Sequence, residues 1–255
     1  MAKRKELINH GILYRPHDWA NENICAGIDE VGRGCLAGPV VAGAVVFPKD
    51  FDLIGLDDSK KLSEKERLCL DGEIKNLAWA WGIGLVWQKT IEEINILQAS
   101  LLAMARAIAA LKIKFPQTDP KIYLIDGTFP IPPFYLAKYS LSPLSQKTIV
   151  QGDALEPSIS AASVIAKNFR DKLMIKMDER YPGYGFASHK GYGTKEHRLA
   201  IQKQGPCPLH RMDFKSVRPK SMEQGSRFED SYVDLEQIIN REINMDIEIE
   251  DEDEL

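Results

Sequence analysis

The chain has 255 residues, of which 44% are hydrophobic and 27% are charged, so it is long enough to bury the core of one domain together with an appendage. Its most apolar tract, residues 96–113, is interrupted by Gln98, Ser100, Arg106 and Lys112, and it falls short of the roughly 20 apolar residues that a membrane span requires. The N-terminus has no apolar stretch typical of a secretory signal. We therefore expect a cytoplasmic protein without a membrane segment.

The four cysteines do not form a metal-binding pattern. Cys25, Cys35, Cys69 and Cys207 include no CxxC pair, which disfavours a zinc site. Nothing in the sequence indicates an oxidising compartment, so we expect reduced thiols.

Charge is distributed unevenly along the chain. Residues 220–255 contain thirteen acidic and three basic residues, a balance of -10, which leaves residues 1–219 at +6. A basic body is typical of proteins that bind polyanions. We divide the chain into an extension at 1–23, a folded body at 24–219 and an acidic, mobile tail at 220–255 with a short helix around residues 232–244. The tail is expected to contact either the basic groove of its own body or another protein.

The order of the predicted elements is typical of an α/β layered domain. Apolar, β-branched runs predict strands at residues 24–29, 39–47, 78–87, 121–126 and 147–153.

Three helices are predicted from their start signals. Ser63 with Glu66 and Thr90 with Glu93 each have the spacing of a capping box, and the second is followed by a long stretch rich in Ala and Leu. A further helix is expected to begin at Ser158, with small residues on its packing face.

Acidic residues follow or end three of the predicted strands. Asp29 and Glu30 come where the first strand meets a Gly-rich turn, and Asp126 and Asp153 end two later strands. Adjacent strand residues point to opposite faces, so the first two share a site only if the chain bends there, which the glycines of the turn permit. A turn former at Asp126 and a helix N-cap at Asp153 are the structural alternatives.

Several carboxylates buried together repel one another unless a cation neutralises them. Ligation by oxygen alone suits Mg²⁺ or Mn²⁺, which commonly share their remaining positions with substrate phosphates. This arrangement indicates phosphoryl transfer, in which two ions activate the attacking water and stabilise the leaving oxygen.

Two further stretches have residues suited to a nucleic acid. Ser59, Lys60 and Lys61 are suited to phosphates, although the same stretch would serve as a solvated turn. Residues 184–198 interleave aromatic residues with cations, as nucleotide-stacking surfaces do, although an ordinary surface loop is the alternative.

Three histidines in the C-terminal part of the body, His189, His197 and His210, have no metal-ligand spacing. We expect them on the surface or in contact with phosphates.

Taken together, the motifs resemble those of ribonuclease HII over residues 24 to about 218. They stand in family order: DEVGRG at 29–34, DSKKLS at 58–63, LIDG at 124–127, GD at 152–153 followed by ISAASVIAK, HKGYGT at 189–194 and HRxxF at 210–214.

The resemblance implies a ribonuclease H-like fold, a mixed five-stranded sheet flanked by helices. It also implies an endonuclease that cuts the RNA strand of RNA–DNA hybrids, and ribonucleotides embedded in duplex DNA, leaving 3′-hydroxyl and 5′-phosphate ends. We expect the protein to be a monomer. The catalytic set that would bind two Mg²⁺ or Mn²⁺ ions is Asp29, Glu30, Asp126 and Asp153.

The resemblance also assigns substrate contacts. Gly32, Arg33 and Gly34 would read the 2′-hydroxyl, the only general chemical mark that separates a ribonucleotide from a deoxyribonucleotide. Tyr192 would stack at the RNA–DNA junction, and Lys190 precedes it in the same motif.

Five residues depart from the family pattern. Gln151 replaces a usual lysine and Asp213 a frequent serine, Cys35 replaces a common proline, and residues 168–169 are Asn-Phe instead of Val-Thr. None of these changes removes a carboxylate.

Three other readings compete with this one. The sister family ribonuclease HIII normally has an N-terminal nucleic-acid-binding domain and a different turn, so the short extension and the GRG turn favour type HII. A strand transferase or junction nuclease would need the same acids with different substrate loops. A non-catalytic nucleic-acid-binding protein would not need the full carboxylate set.

Overall fold

A central sheet of five strands organises the computed structural model, which describes residues 8–9, 12–13, 24–49, 51, 53, 56, 62–141, 144–215 and 217–218. The strands of this sheet are β3 (Cys25–Val31), β4 (Val40–Val46), β5 (Ala80–Val86), β6 (Ile122–Asp126) and β7 (Gln146–Ile149). A separate antiparallel pair precedes them, β1 (Ile8–Asn9) and β2 (Ile12–Leu13).

The helices are α1 (Glu64–Leu77), α2 (Gln88–Ile94), α3 (Ile96–Lys114), α4 (Pro133–Ala137), α5 (Gly152–Leu155), α6 (Pro157–Arg180), α7 (Phe186–His189) and α8 (Lys195–Gln204). The long helix α3 packs against β4 and β5, and α6 packs against β3 and β4. Apolar residues such as Ile28 and Ile108 are fully buried in the α3 layer, and Val45 and Val164 in the α6 layer.

The strand order, β5-β4-β3-β6-β7, confirms the predicted mixed sheet. β4 is antiparallel to both β3 and β5, whereas β3, β6 and β7 run parallel. The C-terminal ends of three neighbouring strands therefore lie at one edge of the sheet, where residues from distant parts of the chain come together.

Local signals located two helix starts correctly. Ser63 caps α1, its hydroxyl accepting from the Glu66 amide at 3.3 Å while the Glu66 carboxylate accepts from the Ser63 amide at 2.8 Å. Helix α6 begins at Pro157, one residue before the predicted start at Ser158.

The capping box predicted at Thr90 is wrong, because Thr90 lies inside α2. The chain breaks at Asn95, whose φ of 67° lies in the left-handed region, and its side chain accepts from the Leu97 and Gln98 amides at 3.0 and 3.1 Å to start α3. Two helices stand where one was predicted.

Helix α3 is long and apolar enough to cross a membrane by length and composition alone. In the fold, 61% of its apolar window is buried inside the protein. Its apolar character is therefore that of a core helix packed on a sheet.

The strand predicted at 147–153 ends early, at Ile149. Gln151 has a φ of 56°, and the four-residue helix α5 starts at Gly152. The predicted helix at 232–244 and the acidic tail lie outside the described residues.

Candidate active site

Three of the four predicted carboxylates lie on two neighbouring strands. Asp29 and Glu30 are in β3, which continues to Val31, and Asp126 is the last residue of β6. Because these strands are parallel with Ile28 paired to residue 125, Asp29 and Asp126 come next to each other at the sheet edge. The charge of Asp126 raises the pKa of both Asp29 and Glu30, so the three side chains interact.

Burial governs the protonation of this group. The pKa of Asp29 is raised well above its usual range, first by burial and then by the charges of Glu30 and Asp126, while a hydrogen bond from Ser163 opposes the rise. Burial also raises the pKa of Glu30, and Arg33 opposes it through an ion pair of 3.0 Å between Nη1 and Oε1. Ionising both acids is therefore unfavourable without added positive charge.

Asp153 reaches the same edge from a helix instead of a strand, which corrects the prediction. It lies in the first turn of α5 and is buried. The preceding residue, Gly152, donates its amide to Asp126 Oδ1 at 2.7 Å. A Cβ on Gly152 would come 2.6 Å from Ile159 Cδ1 and 3.2 Å from Asp126 Oδ1, so a larger residue there would require Ile159 to shift.

In the described ranges, no three His, Cys, Asp or Glu side chains are arranged so that they could hold an ion without moving. Two of the carboxylates are engaged by the chain itself. Glu30 is turned towards Arg33, and Asp126 accepts from the amide of Gly152. An ion that bound Glu30 would compete with Arg33 for its carboxylate.

The two glycines of the GRG turn have different requirements. Gly32 has a φ of 89°, and a Cβ there would lie 2.3 Å from Arg170 Nε, so the fold itself demands glycine. Gly34 lies outside the left-handed region, and a Cβ built on it meets nothing within 4 Å. No described part of the protein explains why residue 34 is glycine.

The HKGYGT loop is joined to the GRG turn. Cys35 and Tyr192 form an antiparallel bridge, and the Leu36 amide donates to the Gly191 carbonyl at 2.8 Å. The Tyr192 ring is 41% exposed, with Lys167 Nζ 5.5 Å and Arg170 Cζ 5.9 Å from its centroid. The structure thus brings the GRG turn and the HKGYGT loop together. It also places the partly exposed Tyr192 ring next to two cationic side chains.

The other predicted contacts are less clearly placed. Lys190 has a φ of 51°, and its ammonium group donates to the Ala187 carbonyl. Ser59, Lys60 and Lys61 lie outside the described residues. The unusual Asp213 pairs with Arg218 at 3.2 Å, so its charge has a partner.

Two fully buried arginines were not predicted, Arg170 and Arg211. Arg170 donates to the carbonyls of Pro39, Ala37 and Lys190 at 3.0, 3.1 and 2.8 Å. The HRxxF motif was the one signal for Arg211, and no sequence pattern indicated that either guanidinium would be buried.

The predicted surface location is wrong for His197 and His210, which are fully buried. The Cys207 amide donates to His210 Nδ1 at 2.9 Å, so the proton of His210 is on Nε2, which lies 3.0 Å from His197 Nε2. His197 Nδ1 then donates to the Tyr192 carbonyl at 2.9 Å. Both imidazoles are neutral, and burial lowers the pKa of His197 to about 4 and that of His210 to about 3. Their hydrogen bonds hold the Tyr192 loop.

Comparison with known proteins agrees with these motifs. The family model for ribonuclease HII matches residues 26–217, and a protein named ribonuclease HII from Nitratidesulfovibrio vulgaris is 53% identical over 198 residues, covering 77% of this chain and 88% of that one. The chain belongs to the ribonuclease HII family. It is therefore an endonuclease with ribonuclease H activity on RNA–DNA hybrids.

Solved structures show the same fold. The ribonuclease H2 from Pyrococcus horikoshii OT3 has a TM-score of 0.59 and 25% identity, covering 76% of this chain and 95% of that one. The ribonuclease HII of Archaeoglobus fulgidus, solved as a complex with PCNA, has a TM-score of 0.59 and 25% identity, covering 78% and 98%.

All four cysteines are free thiols, as predicted. Cys35 and Cys207 are buried, and burial raises the pKa of Cys207 to about 12. Among the described residues, none of the cysteines or histidines is placed at the carboxylate edge.

Proposed function

We propose that the chain cuts at ribonucleotides embedded in duplex DNA as well as within hybrids, leaving 3′-hydroxyl and 5′-phosphate ends. The observation that carries this proposal is the Cys35–Tyr192 bridge, which joins the GRG turn to the HKGYGT loop. β3 leads directly from Asp29 and Glu30 into that turn. The GRG turn, which would contact one ribose, and the Tyr192 ring, which would stack on the adjacent base, therefore lie beside Asp29 and Glu30.

Asp29, Glu30, Asp126 and Asp153 are proposed to bind divalent ions. The raised pKa of Asp29, caused by burial and by neighbouring acids, is the electrostatic sign of a cluster that added positive charge would stabilise. Four carboxylates offer only oxygen ligands, which fits two Mg²⁺ or Mn²⁺ ions. Such ions, when bound, activate water and stabilise the leaving oxygen.

The protein's own residues would bind and orient the scissile strand. The Gly152 amide, immediately before Asp153 in the chain, orients Asp126, and Ser163 donates a hydrogen bond to Asp29. Glu30 would turn from Arg33 towards an ion, which would leave the half-exposed Arg33 guanidinium free to meet a phosphate.

Three matched duplexes test the proposal: an RNA–DNA hybrid, a DNA duplex with one ribonucleotide, and the same duplex without it. With Mg²⁺ or Mn²⁺ we expect cleavage of the first two and none of the third. Mapping the ends should give a single cut beside the ribonucleotide. A parent protein that cuts the hybrid but leaves the single ribonucleotide intact would refute the embedded-ribonucleotide proposal.

Gly34→Ala should separate folding from cleavage. The added methyl group meets no atom of the described protein, so thermal stability should be kept, while cleavage at a lone ribonucleotide falls about 10- to 100-fold because substrate can no longer approach closely. Gly72→Ala is the matched control: it is an exposed helical glycine with equally open space, and it should gain about 0.5–1 kcal/mol of stability and keep activity. Equal activity of the two variants would count against substrate approach at Gly34.

Tyr192→Ala should impair cleavage at a lone ribonucleotide by about 5- to 100-fold, since one lost base stack costs about 1 to 3 kcal/mol. Tyr192→Phe keeps the ring and should stay within about threefold of the parent if stacking dominates. Thermal melting should change little in either variant, because the ring is 41% exposed. Parental kcat/KM in Tyr192→Ala would rule out a stacking role.

A further inference from the structure

Arg211 is fully buried under the GRG turn and donates only to backbone carbonyls. Its Nη1 donates to the Arg33 carbonyl at 2.8 Å, and its Nη2 donates to those of Gly32 and Gly38, each at 2.8 Å. Its Nε donates to Gly38 as well, at 3.0 Å. Among the residues that the structure describes, no carboxylate pairs with this guanidinium. The cation is held by the dipoles of the turn.

These bonds fix the direction of two peptide groups. In a trans peptide the carbonyl and the amide point in opposite directions. The Gly32 and Arg33 carbonyls point inward to Arg211, so the amides of Arg33 and Gly34, which belong to the same two peptides, point away from it. Both residues are exposed, and neither amide donates to any described residue. The turn therefore presents two unused donors, side by side, on the outer face.

Only arginine suits this task. Its planar fork carries five N–H donors in fixed directions, whereas a lysine ammonium is a point charge with three donors. A positive charge bound to the carbonyl of a peptide also polarises that peptide, which makes its amide a stronger donor.

We infer that Arg211 is the positioning residue of the GRG turn, which aims the Arg33 and Gly34 amides at the 2′-hydroxyl and adjoining phosphate and so sets the preference for ribose over deoxyribose. This inference rests on the proposed recognition of single ribonucleotides. Arg211 itself touches neither the substrate nor the carboxylates. It acts through the backbone that it holds.

Arg211→Lys is the direct test, because it keeps the charge but cannot bridge the three carbonyls. We would measure affinity, without metal and in EDTA, for a DNA duplex with one ribonucleotide and for the all-DNA duplex. The parent should bind the duplex with one ribonucleotide more tightly than the all-DNA duplex. In the variant the ratio of these two affinities should fall about tenfold, which corresponds to two weakened hydrogen bonds. Affinity for the all-DNA duplex should not change, because it depends on the attraction between basic side chains and phosphates, and Arg211→Lys keeps the charge.

Leu111→Ala is the control for a general loss of stability. Leu111 is fully buried in α3, in the α3 layer of the core, so this variant is destabilised without disturbing the turn and should keep the ribose preference. An Arg211→Lys protein with the parental preference would overturn the inference. So would a parent that cuts at the ribonucleotide but binds both duplexes equally. A parent that cannot cut there refutes the proposed function instead.

If Arg211→Lys does not fold, the intact protein supplies the test by amide hydrogen exchange. Exchange at the Arg33 and Gly34 amides should be slowed by the single-ribonucleotide duplex and much less by the all-DNA duplex. Equal protection by the two duplexes would overturn the inference.

Discussion

Asp126→Asn should give a folded protein that cleaves hybrids at least about 10²- to 10³-fold more slowly than the parent, a loss of several kcal/mol of transition-state stabilisation. The asparagine oxygen can still accept from the Gly152 amide, the contact that joins β6 to α5 at 2.7 Å. The lost charge is one that raises the pKa of Asp29 and Glu30, so repulsion falls and thermal stability should be equal or higher. Rates with Mg²⁺ and Mn²⁺, together with thermal melting by circular dichroism, measure both effects.

Asp119→Asn is the matched control. Asp119 is a 64% exposed acid paired with Lys121 outside the site, and losing such a surface pair changes little. Its cleavage rate should be parental. Near-parental cleavage by Asp126→Asn would instead remove Asp126 from the catalytic set.

The buried pair of His197 and His210 should make the fold sensitive to acid. In the unfolded chain each histidine has a pKa near 6.5, whereas in the fold the values are lowered to about 4 and about 3. Between pH 6.5 and 4 the unfolded state therefore binds more protons than the folded state, and stability falls as pH falls through this window. The stabilisation is complete above pH 6.5.

Each unit of pKa shift corresponds to about 1.4 kcal/mol, so the free energy of unfolding should fall by about 3 kcal/mol or more between pH 7 and pH 4. Urea unfolding at several pH values measures it. The double variant His197→Phe/His210→Phe lacks both titrating groups, and its stability should decline less steeply with acid. Parallel curves for the parent and the double variant would show that other groups cause the pH dependence.

The geometry gives a reason for this sensitivity. Cys207 and His189 also face the pair, and the His210 Nε2 proton already points at His197 Nε2. A second proton on His197 Nε2 would set two N–H groups against each other. The bond from His197 to the Tyr192 carbonyl belongs to the same chain of hydrogen bonds, so a displacement of His197 away from His210 would be transmitted to the HKGYGT loop.

Local interactions explain what could be predicted from the sequence. The capping box at Ser63 is complete within four residues, so its pattern was sufficient. The apolar runs of β3, β4 and β6 predicted these strands. The acids at the ends of β3 and β6 were predicted to share a site because the C-terminal ends of parallel strands lie at one edge of the sheet. Asp153 was selected as a strand-end acid, although its strand ends at Ile149 and Asp153 itself lies in a helix.

Tertiary interactions explain the features that could not be predicted from the sequence. Asn95 and Gln151 adopt positive φ values that their sequence neighbours do not demand, and each ends an element that looked continuous. Arg211 is stabilised by carbonyls 173 to 179 positions earlier in the chain, a separation that no local pattern shows. A buried histidine likewise looks like an exposed one until its partners are known.

Residues 35–38 lie between two later segments, with Tyr192 bridged to Cys35 and His210 bridged to Ala37. During synthesis the N-terminal part of a domain leaves the ribosome first, so the GRG turn emerges more than 150 residues before the segments that fix it. All four carboxylates are translated by residue 153, well before Arg211. On the roles proposed above, a nascent chain acquires its acids before Arg211, the residue proposed to position the GRG turn.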